Sequence, residues 1–238
     1  MPKPNELYLG VLDFFAIILP GAIAAALLER ALGGAVLGLW VTVPKSEAGQ
    51  WAAFLVIAYL LGHLIFLTGS YLDLLYGGLT ERLKQPQYAQ GWWSVAAKPV
   101  GKNELAYLRA TAVRQALLAP EGQNGVNTFQ WARAVLTSRC PAAAADVQQL
   151  EADSKFFRSF VVLTVVTGCA CLAQGRWVEG LVALVLVIPC FARYCERRLK
   201  STTQAYIHIL TMHGLGELAG KPEERAAATA VPGPSLRP

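Results

Sequence analysis

The amino-acid sequence predicts an all-α polytopic membrane protein, with four transmembrane helices arranged as two hairpins and a small helical cytoplasmic insert between them. Three observations carry that reading. The 238-residue chain is 54% hydrophobic and only 16% charged, against roughly 25% charged residues in an ordinary soluble domain. Its apolar residues fall in runs close to the length of about 20 that a helix needs to cross about 30 Å of hydrocarbon. Its basic residues collect on one side of those runs. The same composition excludes a disordered chain, which is poor in apolar residues, and five Cys are too sparse for a disulfide scaffold.

Residues 1–78 form the first hairpin, with spans at 8–28 and 51–76. Between them, 31–43 is apolar but too short to span, and reads as an interfacial or re-entrant periplasmic segment. A fifth span there would put the termini on opposite sides. Lys3, the apolar run and the small residues Ala24, Ala25 and Ala26 imitate a secretory signal; Asp13 inside the run and Pro20 at its centre oppose one.

Residues 79–155 lose the long apolar runs and show helix punctuation without period-two alternation. Asn103 is placed to cap a helix to about Leu118, stopped by Pro120-Glu121-Gly122, and Asn127 to cap another to about Ser138. Pro141 closes that helix, and a new one runs unbroken from about Ala142 to Ala173. Residues 156–218 form the second hairpin, with spans at 156–173 and 177–192. The Gln174-Gly175-Arg176 connection is so short that the two must run antiparallel. The last helix continues with Ala205, Ile209 and Met212 at helical spacing to an end at Gly214 or Gly216, forming with its neighbour a cytoplasmic stalk. The tail 219–238 mixes Pro, Gly, Ala and charge and is expected to be disordered.

With four spans, eighteen of the 21 Lys and Arg fall on one side and only Arg30, Lys45 and Arg176 on the other. Basic residues are retained on the cytoplasmic side, so both termini and the insert are expected there. Trp51 and Trp177 then lie at the outer interface, and Tyr8, Tyr76 and Tyr194 near the inner one. The net charge of +5 reads as topology and membrane-surface charge rather than a nucleic-acid footprint. A bacterial inner membrane is the expected location. The lipid bilayer and a second copy or a cytoplasmic protein are the expected partners.

Ionisable residues inside a bilayer are costly and draw attention first. Asp13, Asp73, Arg158 and Arg193 arrive at one level near the cytoplasmic end of the four spans. That layer reads as salt bridges between packed helices, as the charged vestibule of a pathway, or as side chains snorkelling to the headgroups. His63 lies about 15 Å from Asp73 along its helix, and Pro20 about 10 Å from Asp13 along the facing one. Pro20 frees the carbonyl of Ala16, to which a neutral His63 could donate. A contact with Thr68 or Ser70 is the other structural role for His63, and a proton relay the functional one. Gly21, Gly62 and Gly69 are small enough to let helices approach closely.

Cys169, Cys171, Cys190 and Cys195 read as apolar packing, with a periplasm-side disulfide or lipidation of Cys195 as alternatives. They lack zinc-site spacing, and His208 and His213 are off the i, i+4 geometry. No Gly-rich phosphate loop, H-E-x-x-H or G-x-S-x-G elbow occurs, so no catalytic residue, metal or cofactor is nominated.

The first helix reads Asp13-Phe14-Phe15 and then Pro20-Gly21, a D-x6-P-G pattern. The second carries Gly62-His63, Gly69-Ser70 and Leu72-Asp73, and the fourth ends in Arg193-Tyr194 and Arg197-Arg198. On these residues the chain resembles a family of uncharacterised bacterial four-helix inner-membrane proteins. The resemblance covers the spans rather than the insert and implies a fold and a compartment alone. The expected function is a non-enzymatic membrane module that self-assembles or binds a partner, a pore-forming effector being one form of it. Alternatives are a small channel or transporter using Asp13, His63 and Asp73, and an enzyme at the inner headgroup layer. Four spans without an internal repeat are few for a solitary transporter, and Asp73 alone is thin support for an enzyme.

Overall fold

The structure, a computed structural model, describes residues 4–31, 46–84, 94–118 and 125–218, with side chains over 17–30, 46–84, 98–118 and 125–218. Among these residues every regular element is an α-helix: α1 Pro4–Ala31, α2 Glu47–Gly69, α3 Leu72–Leu83, α4 Ser94–Leu117, α5 Thr128–Arg139, α6 Pro141–Ala173 and α7 Trp177–Gly214. Three helical stretches are long and apolar enough to cross a membrane: Glu47–Leu83, Pro141–Ala173 and Trp177–Gly214. The expected first span falls in α1, whose side chains up to Ala16 lie outside the described residues. Segment 31–43 and the tail 219–238 also lie outside them, apart from the backbone of Ala31.

The second span is expected as one unbroken run, yet the helix is interrupted between α2 and α3. The amides of Ser70 and Tyr71 bond to the carbonyls three residues back, on Leu67 and Thr68, at 3.0 and 3.2 Å. The hydroxyls of Thr68 and Ser70 donate to the carbonyls of Leu64 and Leu67 at 2.8 and 2.6 Å. Ser and Thr side chains that compete for helix carbonyls in this way bend and tighten the turn they sit in.

Contacts divide the chain into two compact units, Met1–Gly101 with Ala145–Ser201, and Lys102–Ala144 with Thr202–Pro238. In the first, α1 lies directly on α2. A Cβ added to Gly21 would stand 1.8 Å from the carbonyl oxygen of Ala58, and one on Gly62 2.2 Å from that of Ile17. Pro20 and Ala58 are buried beside them. Lipid gives no hydrophobic drive between helices, so small residues that let backbones touch are the usual packing device.

The first unit also holds the α6–α7 hairpin. Gly175 adopts φ 75°, and the amides of Arg176 and Gly175 return to the carbonyls of Cys171 and Leu172 at 2.9 and 3.0 Å. This left-handed cap ends α6 and turns the chain back within three residues. A further close approach follows at Gly168 and Gly180, whose added Cβ atoms would stand 3.2 and 3.1 Å from each other's carbonyl oxygens. Large apolar side chains face outward in this unit, among them Val56, Leu60 and Leu67 on α2 and Val178, Val182 and Ile188 on α7.

The second unit is ordered otherwise. Trp131, Ala132 and Leu136 on α5 are buried, as are Ala110 and Val113 on α4 and Ala205, Tyr206, Ile209 and Met212 on α7. Asn127 caps α5 as its sequence predicts, accepting from the Gln130 amide at 2.8 Å. Asn103 does not cap a helix: α4 begins nine residues earlier, at Ser94, and continues through Pro99. Pro99, the sixth residue of that helix, lies past the first four amides, and as a proline it donates no bond to the carbonyl four residues back. The Asn103 side chain instead accepts from the Thr203 hydroxyl at 2.9 Å and that of Thr202 at 3.3 Å. Gly216, also at φ 75°, ends α7 with the same left-handed cap.

Gly62→Leu should force α1 from α2 and cost about 1 to 3 kcal/mol or more, the range for overpacking a tight contact. Gly77→Ala, where nothing stands within 4 Å of the new Cβ, should leave stability unchanged or slightly raised. Thermal unfolding in detergent micelles checks both, and equal midpoints for the two variants would contradict the close approach.

Candidate functional site

The interruption of the second apolar helix sets Asp73 in the first turn of α3. Gly69, one turn earlier, leaves the space through which a side chain from α6 passes: a Cβ there would stand 3.1 Å from Arg158 Cγ and 3.3 Å from its Nε. The Arg158 guanidinium lies 4.5 Å from the centre of the Phe66 ring and donates from Nη1 to Asp73 Oδ2 at 2.8 Å. The second carboxylate oxygen, Oδ1, accepts from the Tyr194 hydroxyl of α7 at 2.5 Å. Three helices that are separate in sequence are thereby joined through one carboxylate.

The surroundings make this cluster a fixed one. Tyr194 is 1% exposed, and its ring is flanked by Tyr76 and Phe191 with centroids 5.9 Å away in each case. The Arg158 side chain is 9% exposed and that of Asp73 35%. An arginine taken this far out of water requires a counter-charge, which Asp73 supplies. Among the described residues, Arg158 Nε and the hydroxyl of the neighbouring Ser159 are buried without a hydrogen-bond partner.

Chemically the arrangement is a lock. Both oxygens of Asp73 hold hydrogen bonds from groups of the same chain. Among the described residues, no three His, Cys, Asp or Glu gather as a metal site.

The structure brings together Asp73 and Arg158 of the expected charged layer and adds Tyr194, which sequence reading placed only in an aromatic belt. It turns Arg193 elsewhere, to Glu196 of its own helix at 2.6 Å, with both side chains about 40% exposed. Lys200 meets the same carboxylate at 2.6 Å, and hydrogen bonds from Lys200 and then Arg193 hold Glu196 below the usual carboxylate range. The side chain of Asp13 lies outside the described residues. Arg197 and Asp153, 3.4 Å apart, form a second pair between α6 and α7 that sequence reading did not single out.

His63 does not join α1 to α2. It is exposed, and its ring stands edge-on to that of Tyr59, 4.4 Å between centroids. Thr68 and Ser70 give their hydroxyls to their own helix. The α1 contact belongs to Gly62 instead, because successive helical residues point about 100° apart.

Asp73→Asn should cost about 3 kcal/mol, the lower end of the range for breaking a buried pair because Asp73 is partly exposed. Tyr194→Phe should cost about 1.5 kcal/mol, and Arg193→Ala under about 1 kcal/mol. Replacing Arg158 by Gln in the Asp73→Asn background should recover part of the loss, since the unpaired charge is then gone. Denaturant midpoints in mixed micelles measure all four; a midpoint for Asp73→Asn no lower than that for Arg193→Ala would contradict the lock.

Comparison with known proteins finds no family model, no curated protein and no solved structure that matches this chain.

Proposed function

We propose that the chain is an integral membrane protein of the inner-membrane kind its first two helices resemble, with four spans in two hairpins and both termini cytoplasmic. In this reading it is a non-enzymatic module that assembles with further copies of itself. The observation that carries the assembly is the position of His63. The imidazole stands exposed on α2 among Val56, Leu60 and Leu67, in the middle of an apolar run. A polar ring on a face otherwise suited to lipid is costly to leave there, and a second protein surface relieves that cost.

An apolar groove of about 290 Å³ lies on the same side, lined by Ile18, Leu55, Val56, Tyr59 and Leu60. It gives an approaching helix a place to lie. The charges that a channel or a headgroup-level enzyme would use count against those readings, because Asp73 and Arg158 are engaged with each other and with Tyr194. The cytoplasmic orientation rests on the eighteen-to-three division of basic residues.

The mass of the protein in lipid nanodiscs, with the lipid fraction subtracted, should be a discrete multiple of 25.7 kDa. His63→Leu should weaken the assembly about tenfold, equivalent to about 1.4 kcal/mol. A clean monomer for the unaltered chain would overturn the reading. A reporter that works only outside the cytoplasm should be active when inserted at Gly175 and silent when fused after Gly214, and the reverse pattern would overturn the orientation.

A further inference from the structure

A cleft of about 350 Å³ opens between α1, α2 and α6 within the first compact unit. Its volume lies in the range of small-molecule sites, about 300 to 1,000 Å³. Leu27 of α1, Leu64 of α2, and Leu163 and Val166 of α6 form its walls. Leu27, Leu64 and Val166 are exposed, so the cleft is open along its side as well as at its mouth. The walls are mostly apolar, with Thr167 and Cys171 of α6 among them, and at the helix ends the lining turns to Arg30, Gln174 and Arg176.

That change in lining has the shape of an amphiphile. An acyl chain entering sideways from the bilayer meets mostly hydrocarbon along the walls, and a group at the level of the helix ends meets two guanidinium groups. Glu179 pairs with Arg176 at 3.0 Å from outside the lining, and Glu29 adjoins Arg30 in sequence. The two guanidinium groups are the charged groups of the lining itself. Arginine presents a planar fork of donors that matches phosphate oxygens in pairs.

We propose that this cleft binds one anionic glycerophospholipid, with an acyl chain between α1, α2 and α6 and the phosphate at Arg30 and Arg176. The site is separate from the Asp73 lock, and it lies on a different flank of α2 from His63, since Leu64 points about 100° away from that residue. The inference rests on the membrane reading proposed above.

The test uses the full chain, extracted in mild detergent, stripped of lipid and titrated separately with phosphatidylglycerol and phosphatidylcholine, with bound lipids counted by native mass spectrometry. One phosphatidylglycerol per chain should be retained at a concentration where phosphatidylcholine is not. The double change Arg30→Ala and Arg176→Ala should weaken retention at least tenfold. Val166→Trp, which fills the cleft, should abolish it. Arg82→Ala on α3 should leave it unchanged, and unfolding midpoints show that each variant is folded. Three results would each overturn the proposal: no retained lipid, equal retention of the two lipids, or unchanged retention by the double variant. Release of the chain from membranes by alkaline carbonate would instead overturn the membrane reading itself, whereas an integral protein without bound lipid defeats this inference alone.

Discussion

One arginine sets the terms for much of the first compact unit. Arg158 is carried by α6 into apolar surroundings, where an unpaired guanidinium is far more costly than in water. Asp73 answers it, and Tyr194 occupies the oxygen that Arg158 leaves. At Gly69 a side chain would crowd Arg158, and a turn of three-residue bonds stands ahead of Asp73. The flanking rings of Phe66, Tyr76 and Phe191 then close the cluster. Each of these features is modest alone, and together they tie the three helices to one another.

A different device holds the remaining contacts of that unit. Gly21 against Ala58 and Gly62 against Ile17 bring main chains together at distances no side chain would permit, and Gly168 against Gly180 is a looser approach of the same kind. The gain there is dispersion between well-fitted surfaces, individually small and summed over many atoms. The outward apolar side chains of α2 and α7 take no part in it. The second unit gathers Trp131, Leu136, Tyr206 and Ile209 inward while Leu105, Leu108 and Leu215 stay exposed.

Helix existence and several ends were legible because they depend on local chemistry. Asn127, Gly175 and the unbroken stretch into α6 each declared themselves through a cap, a turn or an absence of breakers. Asn103 misled because an Asn that can cap can also serve as a tertiary acceptor, and nothing local distinguishes the two. His63 misled for a geometric reason: beside Gly62, a single residue of phase decides between facing α1 and facing away. Tyr194 was missed since its role depends on where Asp73 and Arg158 arrive. Gly168 and Gly180 carried an unused signal, because they lie six residues before and six after Gln174, as facing positions in an antiparallel hairpin do.

The interruption after Gly69 also acts as a length gauge. The 23 residues of α2 extend about 35 Å at the helical rise of about 1.5 Å per residue, close to the thickness of an ordinary hydrocarbon layer of about 30 Å. In the membrane reading, Asp73 therefore emerges just past the boundary while Arg158 reaches it from the protein side. A thicker bilayer would draw the pair into hydrocarbon, and a thinner one would wet it. In that reading the strength of the lock depends on the thickness of the membrane around it.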